Sequence, residues 1–405
     1  MGDSAIICIL GMHRSGTSLT SRILNLLGVN LGPDERLVRA AADNPKGFWE
    51  YQPIVNLNKG ILSRLGGKCF DPPPLHSGWE HAPQLEDLRR RARTLVEQDF
   101  GCADVWGWKD PRTCLTLPFW QHILPSMRYV ICLRNPVDVA RSLERRDGLS
   151  VEQAINLWLV YMKFALQHTD GQERIFVAYE DLMDNHRHEL QRLARFVGKP
   201  ERAEQADVQN AVHRFIDPKL QHHRTPMMEA TADAQPSAAA LALSLAHQVY
   251  TRLRQDEQVR QSEIAQSLAK AMDTLSPEIR KQKQQAYDSW LEELHLTTQQ
   301  LTRVISPGDT VILVNEDQWQ SNATIAGCHS LPFLERDGHY WGPPPDDDTA
   351  ILELERLRQA GASFMVFAWP ALPWLAYYPG LHHHLRSTYR CVLEDDRVIA
   401  FDLRS

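Results

Sequence analysis

The sequence predicts an α/β fold in which a doubly wound parallel sheet is followed by a helical connector and a small C-terminal α/β domain. The first observation is that short apolar runs alternate with amphipathic helical patterns through the first half of the chain. Such runs suit buried parallel strands, and the helical patterns suit the crossovers between them. The second observation is a glycine-bounded turn after the first apolar run, and the third is a change to Gln-, Ala- and Leu-rich sequence near residue 229.

The first apolar run ends at Leu10 and leads into a turn bounded by Gly11 and Gly16, after which a helix begins at Thr17. The turn amides and the positive end of the helix dipole converge on one place, where a phosphate is stabilised. The glycine spacing is that of the ATPase loop, but Thr17 stands at the position of its lysine and the positive charge is on Arg14 inside the loop. This suits a phosphate that carries a transferable group better than a magnesium-bound triphosphate, and indicates a P-loop-like sheet. An ordinary strand–turn–helix with a surface arginine is the alternative.

Composition limits the function classes. At 405 residues two domains are expected, and a net charge of −7 argues against a general nucleic-acid binder. Seven scattered cysteines, odd in number and without a C-x-x-C pair, favour a reducing compartment. The richest apolar stretch, 364–378, is broken by Pro370 and Pro373, so no membrane span is predicted. We therefore expect a cytoplasmic protein.

After the first helix, residues 28–32 are predicted to form a second short strand, and a helix is predicted from Pro53 to Leu65. Between them Glu50 lies beside Trp49 and Tyr51 in a loop. A carboxylate there can act as a base, or it can serve as a helix N-terminal carboxylate favoured by the dipole. The residues alone leave both readings open.

Two later strands also carry charged side chains where they end. A helix over 84–100 precedes the strand that begins at Val105, and Lys109, Asp110 and Arg112 fall at its carboxyl end, where α/β folds handle ligands. A helix over 117–123 and a strand over 128–133 follow.

The strand over 128–133 is followed by Arg134, with Asn135 and Pro136 as N-cap and first-turn residues of the next helix. Arg134 at the strand tip and Ser142 inside that helix could share a second anion site, or Arg134 could simply face solvent. A helix over 150–168 with a capping box, a strand over 174–179 and a helix over 186–197 complete the alternation.

Four motifs in order, G-M-H-R-S-G-T-S, W-G-W-K-D-P-R-T, L-R-N-P-V-D-V-A-R-S and Y-E-D-L, give the chain a family resemblance over about residues 4–228. It resembles the sulfotransferases, which use 3′-phosphoadenosine 5′-phosphosulfate (PAPS) on a P-loop-like α/β fold. The resemblance implies a set of donor-binding residues: Arg14, Ser15, Gly16, Thr17 and Ser18 for the 5′-phosphosulfate, Arg134 and Ser142 for the 3′-phosphate, and Tyr179 near the adenine. Residues 215–224 would close over the nucleotide.

The resemblance also implies catalytic roles. Lys109 matches the lysine that family members place near the bridging oxygen, where charge develops as the sulfuryl group leaves. Cytosolic members place a histidine two residues beyond that lysine, where this chain has Pro111. Glycan- and tyrosine-modifying members instead use a glutamate after the first helix, so Glu50 is the preferred base, Asp110 the second candidate and His13 the third. Loop amides, Arg14 and Lys109 supply positive potential, so no metal is expected.

The sequence therefore predicts a PAPS-dependent O-sulfotransferase that releases adenosine 3′,5′-bisphosphate, with a glycan or glycoconjugate hydroxyl as acceptor. One alternative is a P-loop kinase-like phosphotransferase, which is disfavoured because Thr17 stands at the position of the P-loop lysine. The other is a non-catalytic glycan-binding or scaffold protein. No nucleic-acid partner is expected, and a homo-oligomer is compatible with the sequence.

Three segments are predicted: a PAPS-binding domain over 1–228, a helical connector over 229–303 and a small α/β accessory domain over 304–405. The last should contain strands over 309–314 and 363–368, helices over 348–360 and 379–388, and a hairpin over 389–403. Its tryptophans 319, 341, 369 and 374 could stack on sugar rings or fill a core. Histidines 382–384 are interpreted as a hydrated helix face, since consecutive helical residues do not converge on one ion.

Overall fold

The structure of the chain is a computed structural model. It describes residues 4–38, 40, 44, 46–75, 77–216, 238–255, 263, 264, 266, 267, 270, 292–315, 325, 327–336, 339, 340 and 343–404. The chain divides into two compact units, the first made of 1–55 and 78–278 and the second of 56–77 and 279–405.

The first unit contains a parallel four-stranded sheet. In the order in which they pair, its strands are β2 (Val105–Lys109), β1 (Ala5–Leu10), β3 (Arg128–Leu133) and β4 (Arg174–Ala178). β1 pairs with β2 on one side and with β3 on the other, and all the pairings in the sheet are parallel. The carboxyl ends of the four strands therefore lie at the same edge of the sheet. That edge is where ligands bind in open α/β sheets.

Among the described residues, ten α-helices begin in the first unit. They are α1 (Thr17–Leu26), α2 (Gln52–Arg64), which continues into the second unit, α3 (Glu86–Phe100), α4 (Thr113–Ile123), α5 (Pro136–Asp147), α6 (Val151–His168), α7 (Tyr179–Asp184), α8 (His186–Phe196), α9 (Ala206–Phe215) and α10 (Ala238–Gln255). The predicted capping box of α6 is confirmed, with Ser150 and Gln153 exchanging both hydrogen bonds.

The sheet lies in an apolar core because its strand residues are buried on both faces, as a parallel sheet requires. Ile7 and Ile9 of β1 pack with α1, α8 and α9. Gly107 allows the close pairing of β1 and β2, since a Cβ there would lie 2.1 Å from the carbonyl oxygen of Ile7.

Two element predictions for this unit were wrong in extent. The strand predicted over 28–32 is a single bridge from Asn30 to Trp106, because Gly32 has a φ of +99° and turns the chain away after one pairing. The helix predicted over 117–123 begins at Thr113, whose amide bonds the carbonyl oxygen of Asp110 and starts the turn earlier.

The second unit contains a five-stranded mixed sheet. Its pairing order is β10 (Arg390–Glu394), β11 (Val398–Asp402), β9 (Phe364–Ala368), β5 (Thr310–Val314) and β6 (His329–Pro332). A two-stranded ladder joins β7 (Glu335–Arg336) to β8 (His339–Tyr340), and residues 343–404 contain the helices α11 (Asp347–Gln359), α12 (Trp374–Tyr377) and α13 (Pro379–Thr388). The prediction of a C-terminal α/β unit is confirmed, hairpin included.

The predicted connector falls largely outside the described residues. Within 229–303 the structure has α10, the helical positions 263, 264, 266, 267 and 270, and a helical segment over 292–301. The part of the nucleotide-covering loop from residue 217 onward also lies outside them. In the described part of the chain, no helix has the length and apolar character needed to cross a bilayer.

Candidate active site

The glycine-bounded loop connects β1 to α1 at the ligand edge of the sheet. Gly16 has a φ of +82°, and a Cβ there would lie 2.7 Å from the Tyr179 ring, so the loop closes tightly against that ring. The hydroxyl of Ser15 is buried and has no hydrogen-bond partner within the described residues. A buried hydroxyl at a helix N-terminus is a group that an anion can satisfy.

Arg14 lies in the same loop, but its side chain extends out of the loop to Ser142 in α5. It has a φ of +67°, its Nε donates to the Ser142 hydroxyl at 2.9 Å, and its carbonyl oxygen accepts from Arg134 Nη1 at 2.9 Å. The structure therefore joins the residues predicted for the two ends of the nucleotide into one cluster of two cations and a hydroxyl.

Arg134 extends from the tip of β3, where its guanidinium lies 4.5 Å from the centre of the Tyr179 ring. Arg134 Nε is buried without a hydrogen-bond partner in the described part of the chain. Burial raises the pKa of Tyr179, and the nearby Arg134 charge opposes that rise, so the phenol is neutral near pH 7. A guanidinium with a free donor beside a flat ring can hold a phosphate and an aromatic base together.

The N-terminus of α5 fixes the backbone that follows Arg134. The Asn135 side chain accepts from the Val137 amide at 3.0 Å, which confirms the predicted cap. The Asn135 amide in turn donates to Glu180 Oε1 at 3.0 Å. Glu180 belongs to the Y-E-D-L motif, from which no role for it was predicted.

Lys109, at the end of β2, forms an ion pair with Glu50. Lys109 Nζ lies 2.5 Å from Glu50 Oε1, and the two side chains are 1% and 12% exposed. Lys109 Nζ also donates to the Ser18 hydroxyl in the first turn of α1 at 3.4 Å, and the Asn44 amide reaches the same hydroxyl at 3.3 Å. The predicted base, the predicted cation and the helix N-terminus thus meet at one place. Asn44 was missed, since no local pattern distinguishes it.

The other two candidate bases occupy different environments. Asp110 is fully buried, and its Oδ1 accepts from the Arg112 backbone at 3.1 Å and from Arg112 Nη1 at 2.8 Å, so it holds the turn before α4. His13 is buried, and its pKa is well below 6.5, first because of burial and then because of the charges of Arg112, Arg146, Lys109 and Arg14. Its imidazole is therefore neutral near pH 7.

In the second unit, Trp374 is buried in the core against Tyr378, while Trp369 is half-buried. Tryptophans 319 and 341 lie outside the described residues. His384 is bonded to Glu355 at 3.0 Å. Among the described residues no group of three or more His, Cys, Asp and Glu side chains is arranged to hold a metal.

Residues 6–204 match the model of a family described as the sulfotransferase family. A comparison with curated proteins gave no match. Among solved structures, the chain is similar to a sulfotransferase domain of the Synechococcus PCC 7002 olefin synthase (18% identity, 61% of this chain and 94% of that one, TM-score 0.36). It is also similar to a sulfotransferase domain from the curacin biosynthetic pathway (15% identity, 67% and 98%, TM-score 0.30). A third is the sulfotransferase STF9 from Mycobacterium avium (14% identity, 68% and 77%, TM-score 0.32).

Proposed function

Since residues 6–204 belong to the sulfotransferase family, we propose that this protein moves a sulfuryl group from PAPS to an acceptor hydroxyl. The acceptor class we propose is a glycan or glycoconjugate. The observation that carries the proposal is the meeting of Glu50, Lys109 and the Ser18 hydroxyl at the N-terminus of α1.

The proposed binding of PAPS is supported by buried hydrogen-bonding groups at the edge of the sheet, the Ser15 hydroxyl and Arg134 Nε, that have no partner among the described residues. The amides of residues 16–18, the buried Ser15 hydroxyl and the positive end of α1 would hold the 5′-phosphosulfate. Arg134, with its buried Nε, and Ser142 would hold the 3′-phosphate, and Tyr179 would lie beside the adenine. When bound, PAPS supplies the sulfuryl group and leaves as adenosine 3′,5′-bisphosphate.

Arg14 would lie between the two ends of the nucleotide rather than at the sulfate end alone. Its Nε is committed to Ser142 and its carbonyl oxygen to Arg134, both predicted 3′-phosphate residues. A guanidinium has further N–H groups, so Arg14 can contact an anion while it keeps the Ser142 bond.

For the chemistry, we propose that Glu50 takes the proton of the acceptor hydroxyl. Lys109 would stabilise the negative charge that develops on the leaving phosphate, as preorganised cations do in such transfers. Lys109 would contact both the Glu50 carboxylate and PAPS. Its ion pair with Glu50 holds the two side chains in place before PAPS binds. The chain's own cations supply the positive potential, so the proposal requires no metal.

Glu50 remains the preferred base because Lys109 holds its carboxylate beside the N-terminus of α1, where the sulfuryl group would be bound. Asp110, the second candidate, has Oδ1 occupied by two donors of Arg112. His13, the third, is neutral and so able to accept a proton, but burial, and after it the charges of four cations, lowers its pKa and makes it a weak acceptor.

We propose the cytoplasm as the location, because all seven cysteines lie among the described residues and none of them is in a disulfide bond. The test of the function is a transfer assay with sulfur-labelled PAPS against desulfated glycans, phenols and lipids, with and without a chelator. We expect label on a glycan hydroxyl at a rate that the chelator does not change. Phosphoryl transfer from ATP, with no label transferred from PAPS, would refute the proposal.

A further inference from the structure

The side chains of the two residues next to Glu50, Trp49 and Tyr51, are each held by hydrogen bonds or ring contacts. Trp49, on one side, has a φ of +56°, its indole Nε1 donates to the carbonyl oxygen of Lys46 at 2.9 Å, and the Arg22 guanidinium lies 4.3 Å from its ring centre. A bulky residue in the left-handed region costs free energy and persists only where its surroundings enforce it.

Tyr51, on the other side, is 1% exposed and its hydroxyl lies in a network of charges. The hydroxyl donates to Asp99 Oδ2 at 2.5 Å and accepts from Arg36 Nη1 at 2.9 Å. Arg36 Nη1 also bonds both carboxylate oxygens of Asp99, at 2.8 and 2.7 Å. We call these three side chains the Tyr51 clamp.

The clamp joins three segments that are distant in sequence. Arg36 lies in the 3₁₀ turn Asp34–Arg36, Tyr51 directly precedes α2, and Asp99 lies in the last turn of α3. Burial and the Asp99 bond raise the pKa of Tyr51, so the phenol keeps its proton and remains a donor to Asp99.

The backbone transmits the position of the clamp to Glu50. The Val38 amide donates to the carbonyl oxygen of Glu50 at 2.8 Å, and Leu37 and Tyr51 form an antiparallel bridge. The carbonyl oxygen of Tyr51 accepts from the amides of Ile54 and Val55 and so begins α2. Glu50 thus lies in a short stretch of backbone that cannot shift while Tyr51 is held.

We propose that the Tyr51 clamp is a positioning device that aims the Glu50 carboxylate at Lys109, where the acceptor proton is removed. This rests on the proposed function, in which Glu50 is the base. The bonds that hold the Tyr51 hydroxyl run to Arg36 and Asp99, which lie outside the loop over 11–16. The loss of these bonds should therefore affect the chemical step and leave nucleotide affinity unchanged.

The test measures kcat, KM for PAPS and the affinity for adenosine 3′,5′-bisphosphate in Tyr51→Phe. A catalytic group displaced by about 1 Å can cost 10²-fold in rate, so we expect kcat to fall about 10- to 100-fold. KM and bisphosphate affinity should stay within roughly twofold. Asp99→Asn, which removes the charge but keeps an acceptor oxygen, should show a smaller fall in kcat. Its KM for PAPS and its bisphosphate affinity should again stay within roughly twofold.

The matched control is Tyr129→Phe. Tyr129 is also 1% exposed and its hydroxyl also has a side-chain partner, Gln121 Nε2 at 2.9 Å, but it lies in β3 away from Glu50. It should keep the kcat of the unmodified protein, which separates positioning from the general loss of a buried tyrosine hydroxyl.

A double variant shows whether the effect passes through Glu50. In a Glu50→Gln background, Tyr51→Phe should change the residual rate by no more than about twofold, because no base remains to be positioned. An equal fall in both backgrounds would overturn the clamp proposal.

An unchanged kcat in Tyr51→Phe, with Glu50→Gln inactive, would overturn the clamp and leave the base assignment intact. A fully active Glu50→Gln would overturn the base assignment itself, and the clamp with it. If Tyr51→Phe shows no cooperative thermal unfolding, Asp99→Asn carries the same comparison, and an unchanged kcat there overturns the clamp.

Discussion

Replacing Glu50 by glutamine removes a proton acceptor and one negative charge while the length of the side chain is kept. General base catalysis is worth typically 10²–10⁴-fold, which corresponds to about 3–5 kcal/mol in the activation free energy. We therefore expect Glu50→Gln to lower kcat by about that factor, with the nucleotide affinity unchanged.

The same substitution also affects stability, since Lys109 is 1% exposed and loses the charge of its partner. Removing one member of a buried ion pair costs about 3–5 kcal/mol when the other charge is left uncompensated. The glutamine carbonyl oxygen can still accept from Lys109, so we expect a smaller loss of about 1–3 kcal/mol in the free energy of unfolding.

The assay is turnover of labelled PAPS with a saturating acceptor, beside calorimetry with adenosine 3′,5′-bisphosphate and urea unfolding. Glu144→Gln removes an exposed glutamate of α5 and is the matched control, for which we expect no change in rate. Full activity in Glu50→Gln would refute the reasoning and give the base role to Asp110, to His13 or to the substrate itself.

The remaining predictions concern the loop and the pH dependence of folding. Gly16→Ala should lower the free energy of unfolding by about 1–3 kcal/mol and weaken bisphosphate binding, since its Cβ would meet the Tyr179 ring at 2.7 Å and its φ is +82°; unchanged values in urea unfolding and calorimetry would contradict this. Burial lowers the pKa of His168 from 6.5 to about 4, so its contribution to stability is present above pH 6.5 and is lost as the pH falls toward 4. At about 1.4 kcal/mol per pKa unit this amounts to about 3 kcal/mol, and His168→Gln should lose correspondingly less stability over that range in urea unfolding; an identical loss in both proteins would count against it.

Much of the fold could be predicted because its signals are local. The glycine-bounded loop, the Asn135 cap and the Ser150 capping box are set by residues within a few positions of one another, and all three are present. Strands β5 and β9 of the second unit could be predicted for the same reason, because continuous apolar runs bounded by turns specify them. The short strands β6, β7 and β8 were not predicted, since no such run marks them.

The parts of the site that could not be predicted depend on contacts between distant segments. Tyr51, Arg36 and Asp99 are separated by 15 to 63 positions, and no pattern in the sequence joins them. The direction of the Arg14 side chain depends on its positive φ and on Ser142, 128 positions away. Sequence spacing could place Arg14 in the loop but could not orient it.

The measurement that tests the central claim most directly is calorimetry with adenosine 3′,5′-bisphosphate and with ATP–Mg²⁺, run side by side on the unmodified protein and on Arg134→Ala. We predict metal-independent binding of the bisphosphate, and a loss of about 10- to 100-fold in its affinity in Arg134→Ala, because a charge-assisted bond to the 3′-phosphate is worth about 1.5–3 kcal/mol. Tighter binding of ATP–Mg²⁺, or bisphosphate binding that is unchanged in Arg134→Ala, would contradict the account.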